Sequence, residues 1–234
     1  MGVSGENTKQ GMRDAAFMGA VTASITHEMQ NVLAIIQQSA GLMGDLLHAS
    51  RMESLKSLGF RKGFQYHDKF STLIAAIGEQ VERGSNLSEG LNRLAHVPDS
   101  PAETTDLRSA TGLLFSLIGR IARKKRIAFV LESGTGDRAP QVQCPPMQAL
   151  MALYGVAQAL IEVLSGCTVQ VAVGAAEDDP HVDFILPEGG AGSPPVILPA
   201  SLVDAQGAGT PCATSLGDRI RLRFPPCPAV AAGG

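Results

Sequence analysis

From Met12 to about Leu47 apolar residues recur at three- and four-residue spacing, with no proline and no strand-like alternation, which predicts one long helix. A polar stretch, Ala49 to His67, contains Gly59 and Gly63 and reads as a connection. The helical pattern resumes from Asp68 to Val97 through Phe70, Ile74, Ile77, Val81, Leu87, Leu91 and Leu94. Two long helices joined by a loop predict an antiparallel hairpin. Alone, such a hairpin cannot cover a stripe running the whole length of both members. A second copy closing a four-helix bundle is therefore expected.

Pro98 and Pro101 end the second helix and set the expected domain boundary. Beyond it the pattern predicts helix 107–124, strand 126–132, helix 146–165 and strands 168–174 and 181–186, with Glu177 to Pro180 turning between the last two. A final strand, Asp218 to Phe224, places Ile220, Leu222 and Phe224 on one face and Arg219, Arg221 and Arg223 on the other. The Gly- and Pro-rich stretch from Pro187 to Gly217 reads as loop, and the tail is similarly weak. The expected class is α+β. A helical hairpin (12–97) precedes an α/β sandwich (103–225), and a flexible tail (226–234) follows.

Composition narrows the function classes. Hydrophobic residues make up 44% of the 234 positions, enough for a core, but aromatics stop at eight Phe and two Tyr, so aliphatic packing dominates. The formal net charge of -3 supplies no global field for nucleic acid. No apolar run approaches the roughly 20 residues of a membrane span, and the polar start lacks a secretory hydrophobic segment. Cys144, Cys167, Cys212 and Cys227 form no CxxC pair, which argues against zinc or a disulfide framework and for a reducing, cytoplasmic setting. His48, His67, His96 and His181 share no ligand spacing with them, so no metal site is expected. The cations Arg120, Arg123, Lys124, Lys125 and Arg126 fall where a helix C-terminus would use them.

The informative stretch lies inside the first helix. At about 100° per residue, with Ile25 at zero, Met29, Val32 and Ile36 form a compact apolar stripe near 40°, 340° and 20°. His27 falls on the opposite side near 200°, flanked by Ala23, Gln30, Asn31 and Ala34. A neutral imidazole there offers a nitrogen lone pair for attack on phosphorus. Glu28 is expected to accept from the other ring nitrogen, and Asn31, one turn on, to position water or a phosphoryl group.

Thr26-His27-Glu28-Met29-Gln30-Asn31-Val32-Leu33 resembles the phosphoacceptor box of sensor histidine kinases, usually Ser-His-Glu-Leu-Arg-Thr/Asn-Pro-Leu. Gln30 stands where arginine is common and Val32 where the family has proline. The hairpin, the prolines near 100 and the helix-strand-helix order extend the resemblance over most of residues 12–225. It implies a dimerisation domain joined to an ATP-binding domain, with His27 as phosphoacceptor and Glu28 and Asn31 assisting. It also implies receiver specificity at exposed positions such as Ala23, Gln30 and Ala34.

The resemblance breaks off at the nucleotide side. Tyr154 and Gln158 occupy the places of the family's magnesium-binding asparagines in Leu153–Leu160, and Pro187-Glu188-Gly189-Gly190 replaces its adenine-binding Asp box. Only Gly207-Ala208-Gly209-Thr210 echoes its ATP lid. The sequence therefore resembles a histidine phosphotransferase with a degenerate ATP-binding domain. It implies transfer between receiver-domain aspartates of response regulators, with Mg2+ in the receiver and no cofactor in this chain. A silent adaptor that docks response regulators, or a divergent kinase core still binding ATP, are the competing expectations.

Overall fold

The computed structural model describes residues 3–56, 66–99, 102–133, 140–176, 179–187, 195–203 and 209–227. The protein is α+β, with helices at the N-terminus and a mixed sheet after them. It divides into two compact units, one of residues 25–91 and the other of residues 1–24 with 92–234.

Helix α1 (Val3–Lys56) is longer at both ends than the apolar pattern implies. Residues 49–56 lie in the expected connection, yet they contain neither Gly nor Pro and are rich in good helix formers, so α1 continues through them. The remainder of that connection, including Gly59 and Gly63, falls outside the described residues. Helix α2 (His67–Ala95) stops short of Pro98, and His96 to Asp99 form turns.

In the unit 25–91, α1 and α2 meet where Arg83 reaches Glu28 and where Gly84 lies against Val32 and Met29. Helix α1 runs on from this point and α2 returns to it, so the two are antiparallel. Ile25 and Val32 are buried, whereas Leu33, Ile35, Leu42, Leu47, Ile74 and Val81 remain exposed.

The other unit is built on a five-stranded sheet. It comprises β2 (Ala128–Leu131), β4 (Thr168–Ala176), β5 (Asp179–Ile185), β6 (Cys212–Ser215) and β7 (Arg219–Arg223), in the order β2-β4-β5-β7-β6. Strands β2 and β4 run parallel, and the other pairs are antiparallel. Helices α3 (Leu107–Lys124) and α4 (Pro146–Val163) pack together beside the sheet. Phe115 of α3 stacks on Phe129 of β2 with centroids 5.0 Å apart, and Phe184 of β5 meets both rings edge-on. Strands β1 (Thr105–Asp106) and β3 (Gln141–Val142) form a small antiparallel pair.

Local chemistry explains the boundaries. Asp106 caps α3 by accepting from Ser109 N at 2.7 Å, and Pro146 opens α4 where its missing N–H is harmless. The expected strand at 126–132 begins only at Ala128, because Arg126 adopts a left-handed φ of 57° and closes α3 by donating to Arg123 O at 2.9 Å. Asp179 and Pro180, expected in a turn, instead pair with Ala176 and Ala175 at the start of β5. The expected loop 187–217 contains β6 and the short helix α5 (Ala200–Val203). Strand β6 exists because Gly217, at φ 83°, turns the chain tightly into β7. The tail is tied at its start, since Pro226 bridges Val142.

Candidate functional site

The phosphoacceptor-like stretch lies in continuous helix, so the directions of its side chains follow from periodicity. His27 is exposed, as are Ala23, Gln30, Asn31 and Ala34 around it. Ala23 and Asn31 sit one turn before and after the imidazole on the same face. The methyl groups of Ala23 and Ala34 leave the ring open to approach. Asn31 presents an amide on the same side.

Glu28 behaves differently. It is only 5% exposed and accepts a hydrogen bond from Nη2 of Arg83. The sequence reading has this carboxylate accepting from the imidazole; the structure places it against the guanidinium of Arg83. Residues adjacent in a helix point about 100° apart. A carboxylate turned toward α2 is therefore turned away from the exposed face. Arg83 carries no signal in the phosphoacceptor-like box, although it is the one Lys or Arg between Lys69 and Arg93 on α2.

In the α/β unit, the segment Leu153–Leu160 belongs to α4. Leu153, Val156, Ala157 and Leu160 are buried in the core. The Tyr154 ring packs edge-on against Phe17 at 5.1 Å, and burial, followed by the charge of Glu162, raises its hydroxyl above the ordinary range. Gln158 is exposed, its Nε2 3.4 Å from Glu162 Oε1. Between these two positions, Gly155 faces the segment that carries α5. A Cβ at Gly155 would stand 3.3 Å from both Leu202 Cδ1 and Pro199 Cγ. Neither Tyr154 nor Gln158 lines the cavity of about 450 Å³ in this unit, which is bounded by Arg93, His96, Asp106, Ser109 and Leu150 among others. Glu188 to Gly192, and Gly207 with Ala208, lie outside the described residues.

The outer face of the sheet carries a charge network. Asp183 of β5, 4% exposed, accepts from Nε and Nη2 of Arg221, both at 2.7 Å, and from Nη1 of Arg219 at 3.4 Å. His181 Nδ1 donates to the Asp179 carbonyl at 2.7 Å, and Arg223 pairs with Asp179 at 3.2 Å. Burial alone pushes the Asp183 carboxyl up. The hydrogen bonds and charge of Arg221, with His181 and Arg219, outweigh it and hold the group below the usual carboxylate range. The arginines are thus engaged with carboxylates. Among the described residues no cluster of His, Cys, Asp and Glu could hold a metal ion, and no helix is long and apolar enough to cross a membrane.

No family model and no curated protein matches the chain. The solved structures similar to it include histidine kinases. The nucleotide-free catalytic domain of histidine kinase ThkA is 13% identical, with 53% of this chain and 97% of that chain covered and a TM-score of 0.39. The Acinetobacter baumannii histidine kinase AdeS is 12% identical over 85% of this chain and 97% of its own, with a TM-score of 0.35. ThkA in complex with the response regulator TrrA is 15% identical over 94% of this chain and 65% of that chain, with a TM-score of 0.37. Values this low do not identify the chain.

Proposed function

We propose that the protein is a two-component phosphorelay protein that carries phosphoryl groups between receiver-domain aspartates through a phosphohistidine at His27. One observation carries the reading: in a stretch resembling the histidine kinase phosphoacceptor box, the imidazole is exposed on a helix flank between small side chains, with Asn31 on its own face. In the forward step a lone pair on a neutral imidazole nitrogen attacks phosphorus in line. The N–P bond forms as the bond from phosphorus to the aspartyl oxygen breaks, and the carboxylate leaves with its electron pair. A second receiver's carboxylate reverses the process. The Mg2+ that shields phosphoryl charge belongs to the receiver, and this chain binds no cofactor of its own.

The sequence and packing of α4 support the absence of autokinase activity. Tyr154 and Gln158 put a phenol and an amide where the resembling family has asparagines, and Pro199 and Leu202 cover Gly155 between them. The exposed apolar residues of α1 and α2 support a homodimer closed as a four-helix bundle. Ala23, Gln30 and Ala34, exposed around the imidazole, are the positions where a response regulator would be read.

The test is transfer of radiolabel from a phosphorylated receiver domain. The wild-type chain takes the label, and His27→Ala takes none while keeping its helical content and oligomeric state. Labelling of the wild type by ATP alone would instead favour the divergent kinase. Undiminished labelling of His27→Ala removes the imidazole from the reaction.

A further inference from the structure

The helical unit of residues 25–91 carries a half-buried ionic contact, one residue away from the exposed imidazole. Glu28 is buried on its face of α1, and its carboxylate takes the guanidinium of Arg83, whose side chain is 43% exposed. The next residue on α2 is Gly84, where an added Cβ would lie 3.3 Å from Val32 Cγ1 and 4.0 Å from Met29 Sδ. The two helices therefore approach closely at the level of the phosphoacceptor-like box. A pair of charges at such a point specifies the rotation of one helix against the other, because a turn of α1 would separate a buried carboxylate from its guanidinium. His27 follows Glu28 rigidly, since both are fixed to one continuous helix.

We propose that Arg83 is a positioning residue for phosphoryl exchange at His27. It acts through Glu28, holding α1 in the rotation that presents the imidazole to an incoming receiver. Glu28 is the buried half of this lock and takes no proton from the imidazole. The assignment rests on His27 being the phosphoacceptor and assigns Glu28 a different part from the one the resemblance implies. The balance of the transfer is unchanged: the N–P bond forms at His27, the P–O bond breaks at the donor aspartate, and no step requires a base on this chain.

The experiment measures single-turnover transfer from a labelled receiver to the full chain at increasing receiver concentration. Circular dichroism on the same samples checks folding. Arg83→Met and Glu28→Gln are each expected to slow transfer at saturating receiver by roughly tenfold to a hundredfold, the scale of a misplaced reacting group. The receiver concentration that half-saturates transfer is expected to stay unchanged. The exchanged pair, Glu28→Arg with Arg83→Glu, restores the lock without a carboxylate at position 28 and is expected to recover transfer. Arg83→Lys, which keeps the charge and the fold, is expected to recover most of it. Recovery of thermal stability without transfer in the exchanged pair overturns the proposal by assigning chemistry to the Glu28 carboxylate. So does an Arg83→Met chain that transfers at the wild-type rate. A wild type that takes no label overturns the phosphorelay reading itself, and is told apart because the loss is then present before any substitution.

Discussion

Replacing Asp183 with Asn is expected to destabilise the α/β unit by about 2–3 kcal/mol near neutral pH. The carboxylate is 4% exposed and binds the Arg221 guanidinium through two bonds of 2.7 Å, with Arg219 at 3.4 Å. Asparagine keeps one acceptor oxygen but sets an amide N–H₂ against a guanidinium donor. One charge-assisted bond is therefore lost and another becomes a bond to a neutral acceptor. Hydrogen bonds to charged groups contribute roughly 1.5–3 kcal/mol each. The Arg221 and Arg219 side chains are 23% and 35% exposed, so water partly takes over their donors and keeps the loss toward the lower end. Urea unfolding followed by circular dichroism measures the difference, and an unchanged slope with denaturant confirms that stability alone has moved. The pH dependence gives an independent check. The folded carboxyl lies below its unfolded value of about 3.9, so its contribution is fully present above that pH and is lost as pH falls through the lower folded value. Asparagine does not titrate, so the gap between wild type and variant narrows below about pH 4. A gap under about 0.5 kcal/mol at pH 7, or one that persists undiminished well below pH 4, refutes the reasoning.

Three further outcomes are expected. Burial pushes the Cys144 thiol up to about 12, so a disulfide exchange reagent at pH 8 should modify Cys167, Cys212 and Cys227 in the native chain and reach Cys144 only on unfolding, counted by mass spectrometry. Leu42→Asp combined with Val81→Asp, at exposed apolar positions of α1 and α2, should leave helicity intact and yield a monomer by light scattering, where the wild type is expected to be a dimer. Leu202→Ala should cost about 2 kcal/mol of stability by removing a buried side chain from the face of Gly155. It should not create affinity for a fluorescent ATP analogue, because Tyr154 and Gln158 still supply no anionic or asparagine oxygen there; measurable binding would count against the degenerate reading.

Elements were legible in the sequence where local chemistry and periodicity agree. Helix α3 spans the expected residues because Asp106 caps one end and Arg123 and Lys124 occupy the last turn of the other. Strand β7 was visible because Ile220 and Leu222 alternate with arginines whose partners lie on β5. Strand β6 was not, since Cys-Ala-Thr-Ser has no apolar alternation and owes its state to pairing with β7. Helix α5 is four residues long within Pro- and Gly-rich surroundings, too short to show a period. The same division holds at the candidate site. The exposed flank bearing His27 follows from the wheel, because direction along one helix is a local property. Glu28, near 300° beside Val32, turns inward on the same wheel, but its partner Arg83, 55 positions away, could not be read from it.

The buried state of Glu28 and the covered face of α4 answer one question from two sides on the proposed reading. An aspartyl phosphate is a mixed anhydride whose leaving group is a weakly basic carboxylate, so a neutral imidazole attacks it without a base to sharpen the nucleophile. Drawing phosphate from a nucleotide makes greater demands: magnesium ligands, a shaped phosphate site and a donor held in line with the imidazole. Here α4 offers Tyr154 and Gln158 at the positions in question, with Leu202 and Pro199 against Gly155, while the acid of the phosphoacceptor-like box is paired with Arg83. A chain relieved of the nucleotide step has no use for a carboxylate free to move at the imidazole. It has every use for an imidazole held at a fixed angle, since a receiver must find it from solution in both directions of transfer.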